Sequence, residues 1–494
     1  MLKRKKTMEK YFEKYRKNTI GNNLIYKSPY GNKKMIYADW VASGRLYRPI
    51  EKKLMNEVGP FVANTHTETS ETGTLMTKAY HAAHRLIKEH VNAGKQDVII
   101  TAGFGMTTVI NKFQRILGLK RCQNRQFKTC EAKGKRPVVF LTHMEHHSNH
   151  TSWFETIADV VQVKPDKNLL VDLNDLEEQL KKYKDRPALF GSFTACSNVT
   201  GIETPYHDIA RLMHKYGGWC FIDFAASAPY VDIDMHPEGD EEARLDAIFF
   251  SPHKFLGGPG SAGVIIFNSS LYHNYSPDQP GGGTVWWTNP WGEFSYLDDI
   301  EAREDGGTPG FLETMKAAMC IKLKDEMGVE KMRKREEELV MIAFSELRKI
   351  PKLHILADNI EERLGIMSFY IEDIHYNLFV RLLSDRFGVQ VRGGCACAGT
   401  YGHYLLNVTY NQSKEITEKI NSGDLSTKPG WIRLSLHPTM TTEDLYFTIN
   451  AIKQIGKNYK KWEKEYTYDK FTNEFTSKKS KGKEAVDYMK WYKF

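Results

Sequence analysis

The 494-residue chain has little cysteine: seven residues, an odd number, scattered along its length. That excludes a small disulfide framework and points to thiols in a reducing compartment. It has no apolar stretch near the roughly 20 residues that a membrane span needs. Its amino terminus, Met1-Leu2-Lys3-Arg4-Lys5-Lys6, lacks the apolar segment of a signal peptide. A soluble cytoplasmic protein with no membrane partner is therefore expected. No cluster of acids or cysteines with metal-ligand spacing is present, so no metal is expected either.

Charge is present but unevenly placed. The formal net charge is +8, yet residues 1–18 hold eight Lys/Arg against two Glu, and residues 456–494 hold eleven Lys against six acids. The body between them is mildly acidic. A basic chain invites a nucleic-acid partner. Here the excess sits in two terminal segments, which read as solvated helices or arms, so nucleic-acid binding is not expected. The carboxy-terminal tail interleaves lysines with Trp462, Tyr466, Tyr468, Phe471, Phe475 and Trp491. These can pack on the body or on a partner subunit. The length allows two or more domains with a full core.

The most informative stretch is 246–267. Two apolar runs, Ala247 to Phe250 and Gly263 to Phe267, read as buried strands. Between them stands Lys254, with Ser251 and His253 before it and Gly257-Gly258-Pro259-Gly260 after it. A lysine beside glycines can be a surface turn. Held between core strands, its ammonium is costly to bury unless it is neutralised, paired or used covalently. Upstream, an apolar strand ends in Asp223 and then the small residues Ala225 and Ala226. A lysine for an aldehyde and an acid for a pyridinium nitrogen are what a pyridoxal-phosphate site requires.

Other stretches carry weaker signals. Residues 74–93 have helical periodicity. Val98-Ile99-Ile100 is a strand that runs through Gly103 and Gly105-Met106-Thr107 into an apolar-periodic helix, a joint suited to an anion. Val138 to Leu141 leads to His143, His146, His147 and His150, four histidines within eight residues that can suggest a metal. Asn198 follows another strand and can simply form its turn. Asn64-Thr65-His66 precedes a helix that Thr65 or Thr69 can cap. Cys395 and Cys397, among glycines, are core thiols, half a metal site or reactive groups. Arg433 lies on a strand as one outward arginine.

Asp223 followed by Ser251-Pro252-His253-Lys254 resembles the fold-type I pyridoxal-phosphate enzymes of the class V aminotransferase group, and within it the cysteine desulfurases and selenocysteine lyases. The resemblance spans roughly 36–455, with insertions near 120–136 and 411–429. It implies an α/β fold: an amino-terminal arm (1–35), a large cofactor-binding domain with a mostly parallel seven-stranded sheet (36–310), a smaller α/β domain (311–458) and a basic aromatic tail (459–494). It implies that Gly105, Met106 and Thr107 cradle the cofactor phosphate with Ser251 and His253 nearby. His146 would stack on the ring and Asn198 would bond its phenolic oxygen. Thr308 would reach a neighbouring subunit's cofactor in a homodimer. Ala42, Ser43, His66, Arg392 and Arg433 fall on substrate-binding positions.

The segment Arg392-Gly393-Gly394-Cys395-Ala396-Cys397 resembles the family's nucleophile loop. Cys397 then takes sulfur as a persulfide, while L-cysteine leaves as L-alanine. The Cys-x-Cys pair is also similar to the desulfurase-like domain of molybdenum-cofactor sulfurases. A sulfur-acceptor protein is implied. Other class V aminotransferase or C–S lyase chemistry, with Cys397 idle, is the alternative. One position departs from the pattern: Ala226 stands where desulfurases carry glutamine, and Ser227 or a water is left to substitute.

Overall fold

The apolar runs form strands because helices cover them on both faces, the condition under which parallel strands read as continuous hydrophobic stretches. Val138–Leu141, Leu189–Thr194 and Ala247–Phe250 are buried at every position. The computed structural model describes residues 8–121, 134–480 and 486–493. The insertion expected near 120–136 lies mostly outside the described residues, as does the start of the basic amino-terminal segment.

Two compact units emerge. The larger comprises Ser43–Ser197 and Glu203–Val329; the smaller comprises Met1–Ala42, Asn198–Ile202 and Glu330–Phe494. The division falls after Val329, beyond the residue 310 of the expected boundary, because the helix Phe311–Met327 packs on the helix Glu71–His90 of the larger unit. Gly328, at φ 77°, ends that helix before the next, Val329–Leu347.

The larger unit is built on a seven-stranded sheet. Its order is Asp97–Ala102, Gly263–Asn268, Ala247–Phe250, Trp219–Asp223, Leu189–Thr194, Val138–Leu141, Asp159–Gln162. Only Gly263–Asn268 runs antiparallel to its neighbours. The strand that ends in Asp223 is therefore the central one, and the carboxyl ends of six strands open on one edge. Helix Glu71–His90 starts at Ser70, whose side chain accepts the Gly73 N–H. The cap is thus neither Thr65, which is buried, nor Thr69, whose hydroxyl meets that of Thr67.

The smaller unit carries a four-stranded antiparallel sheet, ordered Leu353–Ile355, Ile366–Ile371, Trp431–Ser435, Arg392–Gly394. Leu339, Phe344, Phe369, Phe379, Ile432 and Ile452 share its core. The tail is less free than its composition suggests. Tyr466–Asp469 and Glu474–Ser477 form a hairpin, and the Tyr466 hydroxyl donates to Asp385 from a buried position. The Arg386 guanidinium is sandwiched by Tyr30 and Trp462, 4.0 and 4.4 Å from their ring centres. Trp491 and Tyr492 remain exposed.

Candidate active site

In the larger unit, the turns that follow the strands Asp97–Ala102, Val138–Leu141, Trp219–Asp223 and Ala247–Phe250 lie at the carboxyl edge of the sheet, where ligands of open α/β sheets gather. The first runs from Gly103 to Thr107. Gly103 takes φ 56°, and a Cβ there would lie 2.5 Å from the Thr108 side chain. A Cβ on Gly263 would lie 2.5 Å from the Gly105 carbonyl oxygen, so the turn sits directly on the neighbouring strand. The Met106 N–H donates to Ser251 Oγ at 2.8 Å. Ser251 therefore fixes the first turn of the helix Met106–Ile116. Thr107 is exposed and its hydroxyl pairs with Ser148 Oγ at 2.6 Å.

The second loop holds His146. Its Nδ1 accepts the Ser148 N–H at 3.1 Å, so Thr107, Ser148 and His146 form one chain of contacts. That fixes the imidazole's orientation, with Nδ1 as acceptor. The other histidines do different work. His143 is buried, bonds the Leu169 carbonyl through Nε2, and burial pushes it down to about 4. The His150 ring lies edge-on to Phe154. Among the described residues no group of three His, Cys, Asp or Glu side chains is placed to hold a metal.

Beneath His146 lies a residue that sequence reasoning left without a role. Glu145 is fully buried and accepts from Thr142 Oγ1 (2.7 Å), Asn149 Nδ2 (2.7 Å) and the Thr194 N–H (3.0 Å). Burial pushes it up to about 7, against the pull of those bonds, with the nearby Asp223 charge adding to the rise. Asn149 also holds Ser192 Oγ and its backbone oxygen. The carboxylate thus ties the ends of two strands together. An acid followed by two histidines at a strand end was its only signal.

Asp223 closes the central strand at 4% exposure. Among the described residues its side chain accepts one hydrogen bond, from the Ala225 N–H at 2.8 Å. Burial pushes it up to about 6, and the Ala225 bond and the Lys254 charge pull against that. Lys254 ends the short 3-10 turn Pro252–Lys254, half-buried, with its N–H on the Ser251 carbonyl. His253 beside it is pushed down to about 4 by burial and then by the Lys254 charge. The Gly44 N–H and Ser43 Oγ both reach the His253 carbonyl, which brings Ser43 to this loop. Ser227, in the turn after Asp223, has a hydroxyl buried with no partner among the described residues.

His66 and Thr308 lie further along the same unit. His66, exposed at φ 64°, bonds the Gly307 carbonyl through Nε2 at 3.1 Å. Thr308 is exposed on the adjoining turn. Asp305 beside it is pushed up to about 6 by burial and accepts from the Tyr80 hydroxyl at 2.9 Å.

The smaller unit holds the remaining candidates. Cys397 is exposed and Cys395 half-buried, both as thiols. Ala396 and Cys397 have φ of 50° and 56°, two successive left-handed residues that are not glycine. Asn198 Nδ2 donates to the Ala396 carbonyl at 2.7 Å, and its Oδ1 is buried with no partner among the described residues. Arg433 corrects the expectation of an outward arginine: its side chain is 3% exposed. Its Nη1 donates to the Asn198 carbonyl and its Nη2 to Asp39 Oδ1. Burial pulls the guanidinium below its ordinary value, and Asp39 pushes back. Arg392 is exposed and also reaches Asp39. Ala42 N–H closes a turn on the Asp39 carbonyl. His403 Nδ1 meets the Gly399 carbonyl and Nε2 meets Ser413 Oγ.

Comparison with known proteins narrows the reading. Residues 36–446 match a family model described as aminotransferase class-V. A probable cysteine desulfurase of Halalkalibacterium halodurans is 26% identical over 373 residues, covering 74% of this chain and 84% of that one. A cysteine desulfurase of Haloferax volcanii is 24% identical over 405 residues, 79% and 89% of the two chains. Among solved structures, a cysteine desulfurase of Thermococcus onnurineus in its apo form superposes with a TM-score of 0.68 at 19% identity, over 90% of this chain and 98% of that one.

Proposed function

Since this chain belongs to the class-V aminotransferase family, we propose that it is a pyridoxal-phosphate-dependent cysteine desulfurase that converts L-cysteine to L-alanine and keeps the sulfur as a persulfide on Cys397. The observation that carries the cofactor is the buried Asp223 carboxylate, on the central strand's end and within reach of the Lys254 charge. A buried acid with one backbone hydrogen bond suits a cationic ring N–H. The Gly103–Thr107 turn, seated so that a Cβ at Gly105 would lie 3.1 Å from Ser251 Oγ, suits a phosphate. The residues present therefore fit the group.

When bound, pyridoxal phosphate supplies an aldehyde for an amine and a ring that draws electrons from the substrate's α-carbon. Asp223 would keep the proton on the cofactor's ring nitrogen. Gly105, Met106, Thr107, Ser251 and His253 would seat its phosphate, and Asn198 would bond its phenolic oxygen. His146, held by Ser148, would stack on the ring and relay protons. Lys254 Nζ would hold the cofactor's aldehyde and, once freed, take the substrate's α-proton. Arg433 receives the α-carboxylate. Ala42, Ser43 and His66 line the substrate's approach.

Cys397 Sγ, as thiolate, attacks the substrate sulfur. A sulfur–sulfur bond forms and the substrate's carbon–sulfur bond breaks. Its electron pair goes to the β-carbon, which takes a proton and leaves as the methyl of alanine. The chain so oxidises sulfur and reduces carbon by equal amounts, and the persulfide passes to a thiol acceptor.

A homodimer belongs to this reading. An apolar cavity of about 420 Å³ lined by Tyr47, Ile50, Leu86, Met315, Met319 and Leu323 supports it, as does the exposure of Thr308. Sedimentation tests it. No helix of the described residues is long and apolar enough to cross a membrane.

The deciding experiment mixes the purified chain with L-cysteine and a reductant and measures alanine and sulfide together. Equal amounts of both are expected, together with a visible absorption band that Lys254→Ala removes. Cys397→Ala should keep the band and lose at least about 10³-fold in alanine formation. Alanine formation that survives Cys397→Ala would remove Cys397 as the sulfur acceptor, and pyruvate with sulfide in place of alanine would replace this reading with a C–S lyase. A faster reaction with selenocysteine would reassign the substrate.

A further inference from the structure

The short strand Ile36–Tyr37 pairs in parallel with Val389–Gln390. That places Asp39 beside two arginines that sit directly opposite each other, Arg392 against Arg433, on neighbouring antiparallel strands. Like charges so placed repel. Asp39 stands between them. Its Oδ1 accepts from Arg433 Nη2 at 3.0 Å, and its Oδ2 accepts from Arg392 Nε at 3.3 Å. One carboxylate therefore holds both side chains assigned above, by resemblance, to the substrate.

The two arginines are not equivalent. Arg392 is 48% exposed at its side chain and Arg433 3%. Arg433 donates through Nη1 to the Asn198 carbonyl and through Nη2 to Asp39, but its Nε is buried with no partner among the described residues. A buried guanidinium with an unfilled N–H is an acceptor-binding position. Two arginines and one aspartate also leave one positive charge uncompensated.

We propose that Asp39 is the resident carboxylate of Arg433. It holds the guanidinium in place, and an incoming α-carboxylate adds at the unfilled Nε edge while Asp39 keeps its bond to Arg392. The complete set is two guanidinium groups and two carboxylates, with no net charge. Arg392 then acts through Asp39 as a positioning residue, not as a ligand of the substrate. This deepens the reading of Arg433 in the proposed function and rests on it.

The test uses the full-length chain without cofactor and Asp39→Asn. The variant should melt lower than the parent, and sodium acetate should restore its melting temperature in a saturable way that sodium chloride at equal ionic strength does not match. The parent should gain far less from acetate. A second, exposed variant guards against misfolding: Arg392→Gln, in the cofactor-loaded enzyme, should raise KM for L-cysteine about fivefold while moving kcat less. Combined with Asp39→Asn, it should add nothing further to the loss in melting temperature. Acetate that restores nothing, or additive losses in the double variant, would overturn the resident-carboxylate role even if alanine and sulfide are made. Conversely, a chain that makes no alanine but shows the acetate effect would sink the desulfurase reading alone.

Discussion

The lysine edge of the larger unit and the cysteine loop of the smaller one are built by opposite means. Around Lys254, short turns hang from buried strands and are tied to one another by side-chain hydrogen bonds: Ser251 to Met106, Glu145 to Thr194, Ser148 to Thr107. Around Cys397, the backbone is bent through two left-handed residues, the thiol is exposed, and the Asn198 amide reaches across to the Ala396 carbonyl. A rigid seat suits a group that must keep one orientation through many turnovers. A bent and lightly tied loop suits a sulfur that must be taken from one molecule and handed to another. The difference makes three experiments informative, and the largest effect belongs to the rigid side.

Asp223 has an ordinary value of 3.8 and is pushed up to about 6 by burial. Its folded form therefore binds a proton more tightly than its unfolded form. The stability this group gives is full below about pH 4 and is lost as pH climbs through about 6. In the cofactor-free chain, Asp223→Asn should match the parent near pH 4 and exceed it above pH 6, by about 3 kcal/mol. Denaturant unfolding across that range measures it. Glu145 contributes a slope of the same sign toward about pH 7, and that slope should survive in the variant. Bound cofactor, by giving Asp223 a cationic partner, should flatten the difference. Curves that stay parallel from pH 4 to 7 would mean that Asp223 is not a buried acid lacking its partner.

The middle effect tests the tie on the flexible side. Asn198→Ala removes the donor to the Ala396 carbonyl and should cost about 1 kcal/mol, read as faster amide exchange across residues 395–398. Persulfide formation should fall about tenfold while the cofactor absorption keeps its intensity. If exchange in the loop is unchanged, Asn198 serves the cofactor alone.

How much of this was legible beforehand follows from the same contrast. The sheet strands were readable because burial on both faces writes continuous apolar runs, as at Val138–Leu141 and Ala247–Phe250. Asp223 and Lys254 were readable because each stands at the end of such a run. Burial that depends on distant partners leaves no local pattern. Arg433 alternates with apolar neighbours and so read as outward, yet it is buried because Asp39, almost 400 positions away, meets it. Glu145 looked like one more polar residue among histidines. The tail's lysines read as a solvated arm and its aromatics as able to pack on the body or on a partner; which of these holds depends on residues far upstream, on Asp385, which meets Tyr466, and on Arg386, which meets Trp462 and Tyr30.

The smallest expected effect separates bending from tying. Ala396 sits at φ 50°, a region an alanine enters at a cost and a glycine enters freely. Ala396→Gly removes that strain in the folded chain but also gives the unfolded chain more freedom to lose. The two oppose each other, so stability should move by less than about 1 kcal/mol. The loop's own behaviour should change more. A glycine lets the Cys397 backbone leave the left-handed turn, so alkylation of the Cys397 thiol by iodoacetamide should keep its rate or rise. Persulfide formation should slow by a few-fold, because the thiol is presented less often in one geometry. If persulfide formation is unaffected by Ala396→Gly and falls with Asn198→Ala, the hydrogen bond alone sets the loop. If the reverse holds, the left-handed bend does, and the loop is closer to the lysine edge in its rigidity than its exposure implies.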